Sequence, residues 1–391
     1  MTQTATLEAR TQAPTLATLP TPALILDRDR MDRNIARLKG LMDGHGVVLR
    51  PHLKTAKSID AARRFFPDGP GPITVSTLAE AEYFAREGGF TDITYAVGLD
   101  PYKAERAARM VADGVDLKIT LDTVEQAVSL GEVGATVGAC PSAFIEIDCD
   151  GHRGGLLPDD PMLIRVARAL ADCNVPLAGV LTHAGDSYGL NDPEALAQAA
   201  EGERAAAVAA AEALRKAGFQ CPIVSVGSTP TAHFARNLDG VTEVRAGVFM
   251  FFDLVMNGVG VCTTDDIAVS ILTTVIGKKP EKGWILVDAG WMAMSRDRGT
   301  ANQAVDYGYG LVCDVAGNPI PGLIVDQANQ EHGILALRKG SGETLPDLAI
   351  GTRLRIMPNH ACATGAQHEA YEVVANGSPE VIAHWPRMRG W

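Results

Sequence analysis

Two short motifs in this sequence carry residue types able to do covalent and metal chemistry. The first is Arg50-Pro51-His52-Leu53-Lys54. Val47, Val48 and Leu49 ahead of it favour a β-strand and Pro51 ends ladder pairing, so Lys54 falls just past the strand's C-terminal end. An amine there can form a Schiff base with an aldehyde cofactor, provided partial burial or the neighbouring cations Arg50, His52 and Lys57 lower its pKa. The plain alternative is a solvated basic loop. The second motif is His360-Ala361-Cys362, in a β-rich stretch. Side chains at i and i+2 of an extended strand share a face, so both could point at one ion. Imidazole plus thiolate favours Zn2+ over Mg2+, and two protein ligands would leave positions open for water and substrate. A chance His-x-Cys in β structure is the alternative.

Other candidates sit at strand ends. Arg153 lies in the glycine-rich turn 146–155, where a guanidinium fork could bind a phenolate or carboxylate. His183 and Tyr188 follow the strand at 177–182, and His183 could as well be a satisfied core histidine. Gly227, Ser228 and Thr229 open a short helix after the strand at 223–227, and Arg245 and Gly247 end the next. Small residues and hydroxyls there would suit an anion, and the loops after strands seven and eight of an α/β barrel form the usual phosphate cup.

The elements that must position these residues read as a repeat of strand and helix. After a first strand at 23–27 and a helix at 28–43, strands are expected at 47–52, 73–77, 92–97, 117–121, 143–148, 177–182, 223–227 and 243–247. Eight parallel βα units close a barrel, and the continuous apolar strands suit a sheet covered on both faces. An open doubly wound sheet is the runner-up. After about residue 260 the segments become short, β-rich and separated by Gly, Pro, Asn and Asp. The expected organisation is a loosely ordered tail over 1–20, an α/β (β/α)8 TIM-like barrel over 21–260, and an all-β domain over 261–391 carrying the metal pair. The first strand is a candidate to join that second domain.

Composition narrows the function. A net charge of −12 over 391 residues argues against nucleic acid or an anionic membrane surface as partner. The apolar fraction of 46% with 21% charged residues is that of a soluble globular chain, and no apolar run is long enough to span a bilayer. Seven scattered cysteines do not suggest a disulfide framework, so a cytoplasmic location is expected.

Together these residues resemble the fold-type III pyridoxal-phosphate enzymes, the alanine racemase superfamily. The nearer match is the branch of D-serine dehydratase, D-threo-3-hydroxyaspartate dehydratase and D-threonine aldolase, over roughly 22–391. The resemblance implies that Lys54 binds pyridoxal 5′-phosphate and then serves as catalytic base. It places Arg153 at the phenolic oxygen, His183, a second catalytic candidate, against the ring with Tyr188 near it, and Gly227, Ser228, Thr229 and Gly247 at the phosphate. Arg245 would face the pyridine nitrogen. His360 and Cys362 would hold the metal, Zn2+ or otherwise Mn2+, Co2+ or Mg2+. The implied reaction is dehydration of a D-configured β-hydroxy amino acid to a 2-oxo acid and ammonia, in a homodimer. The alternative is retro-aldol cleavage to glycine and an aldehyde.

Two departures stand out: Ala56 replaces a histidine found in many members, and Cys362 replaces the aspartate typical of the aldolases. A racemase would need a tyrosine from the second domain, and none is identifiable. A cofactor carrier of the small one-domain type would lack residues 261–391. Arg296, Arg298 and His332 are candidates for a second substrate carboxylate.

Overall fold

The computed structural model describes residues 14–151, 153–375 and 377–391. Residues 1–13 of the expected tail lie outside the described residues. Residues 14–20 depart from that expectation. Thr15 bridges Glu380, and Leu16 and Leu19 are buried against Ile25, Leu272 and Val381, because two leucines have an apolar face of the sheet to cover.

Strand β1 (Ala23–Asp27) leads into helix α1 (Arg28–His45). Asp27 caps the helix by accepting from the Arg30 amide, Met31, Ile35, Leu38 and Met42 form its buried stripe, and Gly46 ends it at φ 70°. Eight parallel strands follow: β2 (Val48–Pro51), β3 (Ile73–Val75), β4 (Asp92–Gly98), β5 (Asp116–Leu121), β6 (Ser142–Ile147), β7 (Leu177–Thr182), β8 (Ile223–Val226) and β9 (Glu243–Ala246). Their order is β2-β9-β8-β7-β6-β5-β4-β3. The remaining seam, between β2 and β3, is closed by a His52–Thr74 bridge, with the Leu53 amide donating to the Thr74 carbonyl at 2.8 Å. This is the expected nearly closed TIM-like barrel.

The remaining strands are β10 (Val269–Lys279), β11 (Trp284–Val287), β12 (Leu311–Cys313), β13 (Pro319–Ala328), β14 (Gly333–Leu337), β15 (Arg353–Met357), β16 (Ala370–Val374) and β17 (Ala383–Pro386). They form one sheet in the order β11-β14-β13-β12-β15-β10-β1-β16-β17. A further β10–β11 pairing closes six of them into a ring, made possible by the length of β10. β1 belongs here, antiparallel to β10 and parallel to β16. All seven cysteines are free, and no helix among the described residues is long and apolar enough to cross a membrane.

Candidate active site

A cavity of about 650 Å³ lies where the C-terminal ends of the barrel strands meet the β-rich sheet. Lys54, Arg153, His183, Tyr188, Gly227, Ser228, Thr229, Arg245, Gly247, His360 and Cys362 all line it. Arg296, Arg298 and His332 do not. Arg298 pairs with Asp306 at 2.9 Å and sits over Tyr309, Arg296 sits over Trp291, and His332 is exposed. The expected role of these three in gripping a second carboxylate is therefore corrected.

The Lys54 turn is pinned on every side except that of the lysine itself, whose side chain is exposed to the cavity. The Lys57 amide donates to the Leu53 carbonyl at 2.7 Å, and Lys57 adopts φ 46°, a left-handed conformation that a lysine takes at some cost. Its Nζ pairs with the fully buried Glu80 at 3.0 Å. Arg50 pairs with Glu243 at 2.8 Å and Asp92 at 2.7 Å. The expectation that Arg50 and Lys57 bear on Lys54 is thus corrected, since both spend their charge on carboxylates. His52 remains nearby as a neutral ring. Burial, then Lys54, Arg245 and His183, hold its pKa well below the ordinary value.

His360 and Cys362, the expected metal pair, converge by a different route from the one expected. His360 is extended, at φ −138° and ψ 106°, but Cys362 lies in the short helix Ala361–Gly365. A strand-to-helix turn, not strand alternation, brings the two together. Asp297, which spacing alone did not mark, accepts from His360 Nδ1 at 2.7 Å, and Cys362 lies within hydrogen-bonding reach of the same ring. Burial opposes charge on His360, but Asp297 and Cys362 outweigh it and raise the pKa to about 11. Burial likewise opposes a Cys362 thiolate, yet His360 and Lys54 bring the thiol below its ordinary value. Thr55 Oγ1 lies 3.0 Å from Cys362 Sγ, linking the lysine's neighbour directly to the sulfur. Buried Asp253 accepts from the Ala361 amide at 2.9 Å and fixes the start of the helix. No cluster of three or more His, Cys, Asp or Glu suited to a metal exists among the described residues. Nitrogen and sulfur side by side still suit a borderline-soft ion bound by two protein ligands.

The anion cup is organised by Glu203, a buried carboxylate on the helix Pro193–Lys216 that the sequence reading did not single out. It accepts from the amides of Ala184 (2.9 Å) and Gly227 (3.0 Å) and from the Thr231 hydroxyl (2.7 Å). The Ser228 amide donates to Thr231 Oγ1 at 3.1 Å. The Gly227 and Ser228 amides are therefore committed within the chain, and the buried Thr229 hydroxyl is the group without a partner. Gly227 has φ 136°, and a Cβ there would lie 2.1 Å from the Arg245 carbonyl oxygen; at Gly247 a Cβ would lie 2.9 Å from that of His52. Both positions need bare backbone.

Burial holds His183 at about 4, against the hydrogen bond of its Nδ1 to the Gly227 carbonyl at 2.8 Å, so the ring is neutral. Burial also pushes the Tyr188 phenol up. The terminal nitrogens of Arg245 are taken by Ser225 Oγ (2.6 Å) and the Thr182 carbonyl (2.5 Å). An orphaned hydroxyl, close-packed glycines and the cations Lys54, Arg153 and Arg245 in one cavity fit an anionic aldehyde cofactor of pyridoxal-phosphate type.

Comparison with known proteins agrees with this architecture. Residues 26–255 match the family model "Alanine racemase, N-terminal domain", and residues 268–374 match "Putative serine dehydratase domain". The D-threo-3-hydroxyaspartate dehydratase of Delftia sp. (strain HT23) is 55% identical over 383 residues, 96% of this chain and 99% of that protein. The D-serine dehydratase of Dictyostelium discoideum is 28% identical over 393 residues, 95% and 98% of the two chains. A solved metal-free cysteine-to-alanine mutant of D-threo-3-hydroxyaspartate dehydratase aligns with a TM-score of 0.93 at 54% identity, covering 97% of this chain and 100% of that one. The first match spans more than half of the sequence, and the chain belongs to the alanine racemase N-terminal domain family.

Proposed function

We propose that this chain is a lyase that dehydrates a D-configured β-hydroxy amino acid, D-threo-3-hydroxyaspartate foremost, to a 2-oxo acid and ammonia. The observation that carries the reading is that the Lys54 turn and the His360–Cys362 pair line one cavity and touch through Thr55 and Cys362 at 3.0 Å. The name of the 55% identical relative supports the substrate class.

Lys54, Arg153, Thr229 and Gly247 would hold pyridoxal phosphate, and His360 with Cys362 would hold a divalent ion, Zn2+ before Mn2+, Co2+ or Mg2+. When bound, the cofactor supplies an electron sink for charge developing at Cα, and the ion supplies a Lewis acid for the departing hydroxyl. Lys54 Nζ, open to the cavity, takes the α-proton. Asp297 orients the His360 ring through Nδ1, and the Thr55 hydroxyl steadies the Cys362 sulfur. Neutral His183 packs beside the cup without adding a competing cation. A cytoplasmic homodimer completes the proposal, and sedimentation of the purified chain checks the dimer.

Release of ammonia from D-threo-3-hydroxyaspartate, D-serine and D-threonine, with and without a chelator, tests the reading. Chelator-sensitive ammonia with a matching 2-oxo acid is expected. Glycine released in place of ammonia would overturn dehydration in favour of aldol cleavage.

A further inference from the structure

The C-terminal segment buries a guanidinium that the chemistry above does not use. Arg387, just after β17, is only 7% exposed, and none of its hydrogen-bond partners among the described residues is a carboxylate. Its Nε donates to the Tyr371 hydroxyl at 2.7 Å and to the Ala56 carbonyl at 3.2 Å. One terminal nitrogen donates to the Thr55 carbonyl at 3.2 Å. The other donates to the carbonyls of Gly365 and His368, the latter at 3.2 Å. Its carbon lies 5.2 Å from the ring centroid of Tyr371, whose hydroxyl donates back to the Ala56 carbonyl at 2.9 Å.

A cation without a counter-charge is an expensive way to fill buried space, and apolar packing would serve stability as well or better. The distribution of its partners explains why one is here. Thr55 and Ala56 immediately follow Lys54, while Gly365 ends the short helix that starts beside His360 and contains Cys362. One planar fork thus grips the two turns that carry the two reactive ends of the cavity. The adjacent Met388 amide donates to the Lys57 carbonyl at 2.7 Å and anchors the same segment to the lysine turn.

We infer that Arg387, backed by Tyr371, is a positioning residue that sets the spacing between Lys54 and the His360–Cys362 pair. The inference rests on the function proposed above. Each turn has its own local bonds, so each keeps its ligand without the clamp. What the clamp fixes is their separation, and a misplacement of about 1 Å can cost about 100-fold in rate.

The test compares holoenzyme of wild type, Arg387→Lys and Tyr371→Phe. A lysine keeps the charge but cannot span both turns. In Arg387→Lys, the amides of Lys57 (lysine turn) and of Thr364 and Ala366 (metal turn), each bonded within its own turn, should exchange hydrogen about tenfold faster together. Pyridoxal absorbance and metal Kd should stay within about threefold of wild type, while kcat falls at least about tenfold. Tyr371→Phe should move the same readouts in the same direction by about threefold, and it decides the matter if Arg387→Lys does not fold. Faster exchange in one turn only, or in neither, would overturn the inference. So would a fall in kcat that merely tracks lost cofactor or metal. Exchange is read without substrate, so a wild type that releases no ammonia sinks the functional reading and leaves this test standing.

Discussion

The barrel holds two polar clusters that differ in how their charges are matched. At its floor, Arg50 bridges Glu243 and Asp92, and Lys118 bridges Asp92 at 2.9 Å and Asp116 at 2.7 Å. At its mouth, Lys54 and Arg153 form no ion pair with any described residue, and the buried Thr229 hydroxyl has no partner. The two are joined, because Glu243 also accepts from Ser225 Oγ at 2.5 Å, which in turn accepts from Arg245. A floor satisfied by the chain itself holds the fold. A mouth left unsatisfied has its charge available for a ligand.

The largest test of this contrast removes a floor cation. Arg50→Met would leave buried Glu243 without its ion-pair partner and Asp92 with Lys118 alone, and stability should fall by about 3–5 kcal/mol. Denaturant unfolding checks this, and the fraction that stays folded should still bind pyridoxal phosphate. A mouth substitution should show the reverse pattern. Asp297→Asn should leave unfolding nearly unchanged while weakening metal binding by about 10- to 100-fold, because His360 loses the carboxylate that orients it. Metal titration measures it.

The effect that is smallest at neutral pH, and grows only on acidification, comes from buried histidines. Burial lowers the pKa of His233 from 6.5 to about 4 in the folded chain. The unfolded chain takes that proton first as pH falls, so stability is complete above about 6.5 and is lost as pH drops toward 4. His183, held equally low, adds to the same loss. The melting temperature of cofactor-free protein should fall by about 1 °C for each kcal/mol lost across that window, and His233→Gln should flatten the decline.

What could be read from the sequence followed from how local each signal is. The barrel strands were legible because continuous apolar runs ending in polar turns mark buried parallel strands, and Lys54 was legible because its motif lies at such an end. β12 and β13 carry little local signal: one has three residues, and the other starts at Pro319 with a further proline at 321. Cys362 lines the cavity with His360, but not by the strand alternation expected, since a five-residue helix gives too little periodicity to be distinguished from a strand. Glu203, Asp297 and Arg387 carry no motif. Their roles depend on partners 24, 63 and 331 positions away, brought close only by the finished fold.

The central claim is that one cavity sets the Lys54 amine against a metal held by nitrogen and sulfur. Ammonia release from D-threo-3-hydroxyaspartate by Cys362→Ala, followed alongside its pyridoxal absorbance and metal content, tests this most directly. The account predicts intact cofactor absorbance, lost metal and turnover reduced by several kcal/mol of barrier, on the order of 100-fold or more. Wild-type turnover by the metal-free variant would contradict it.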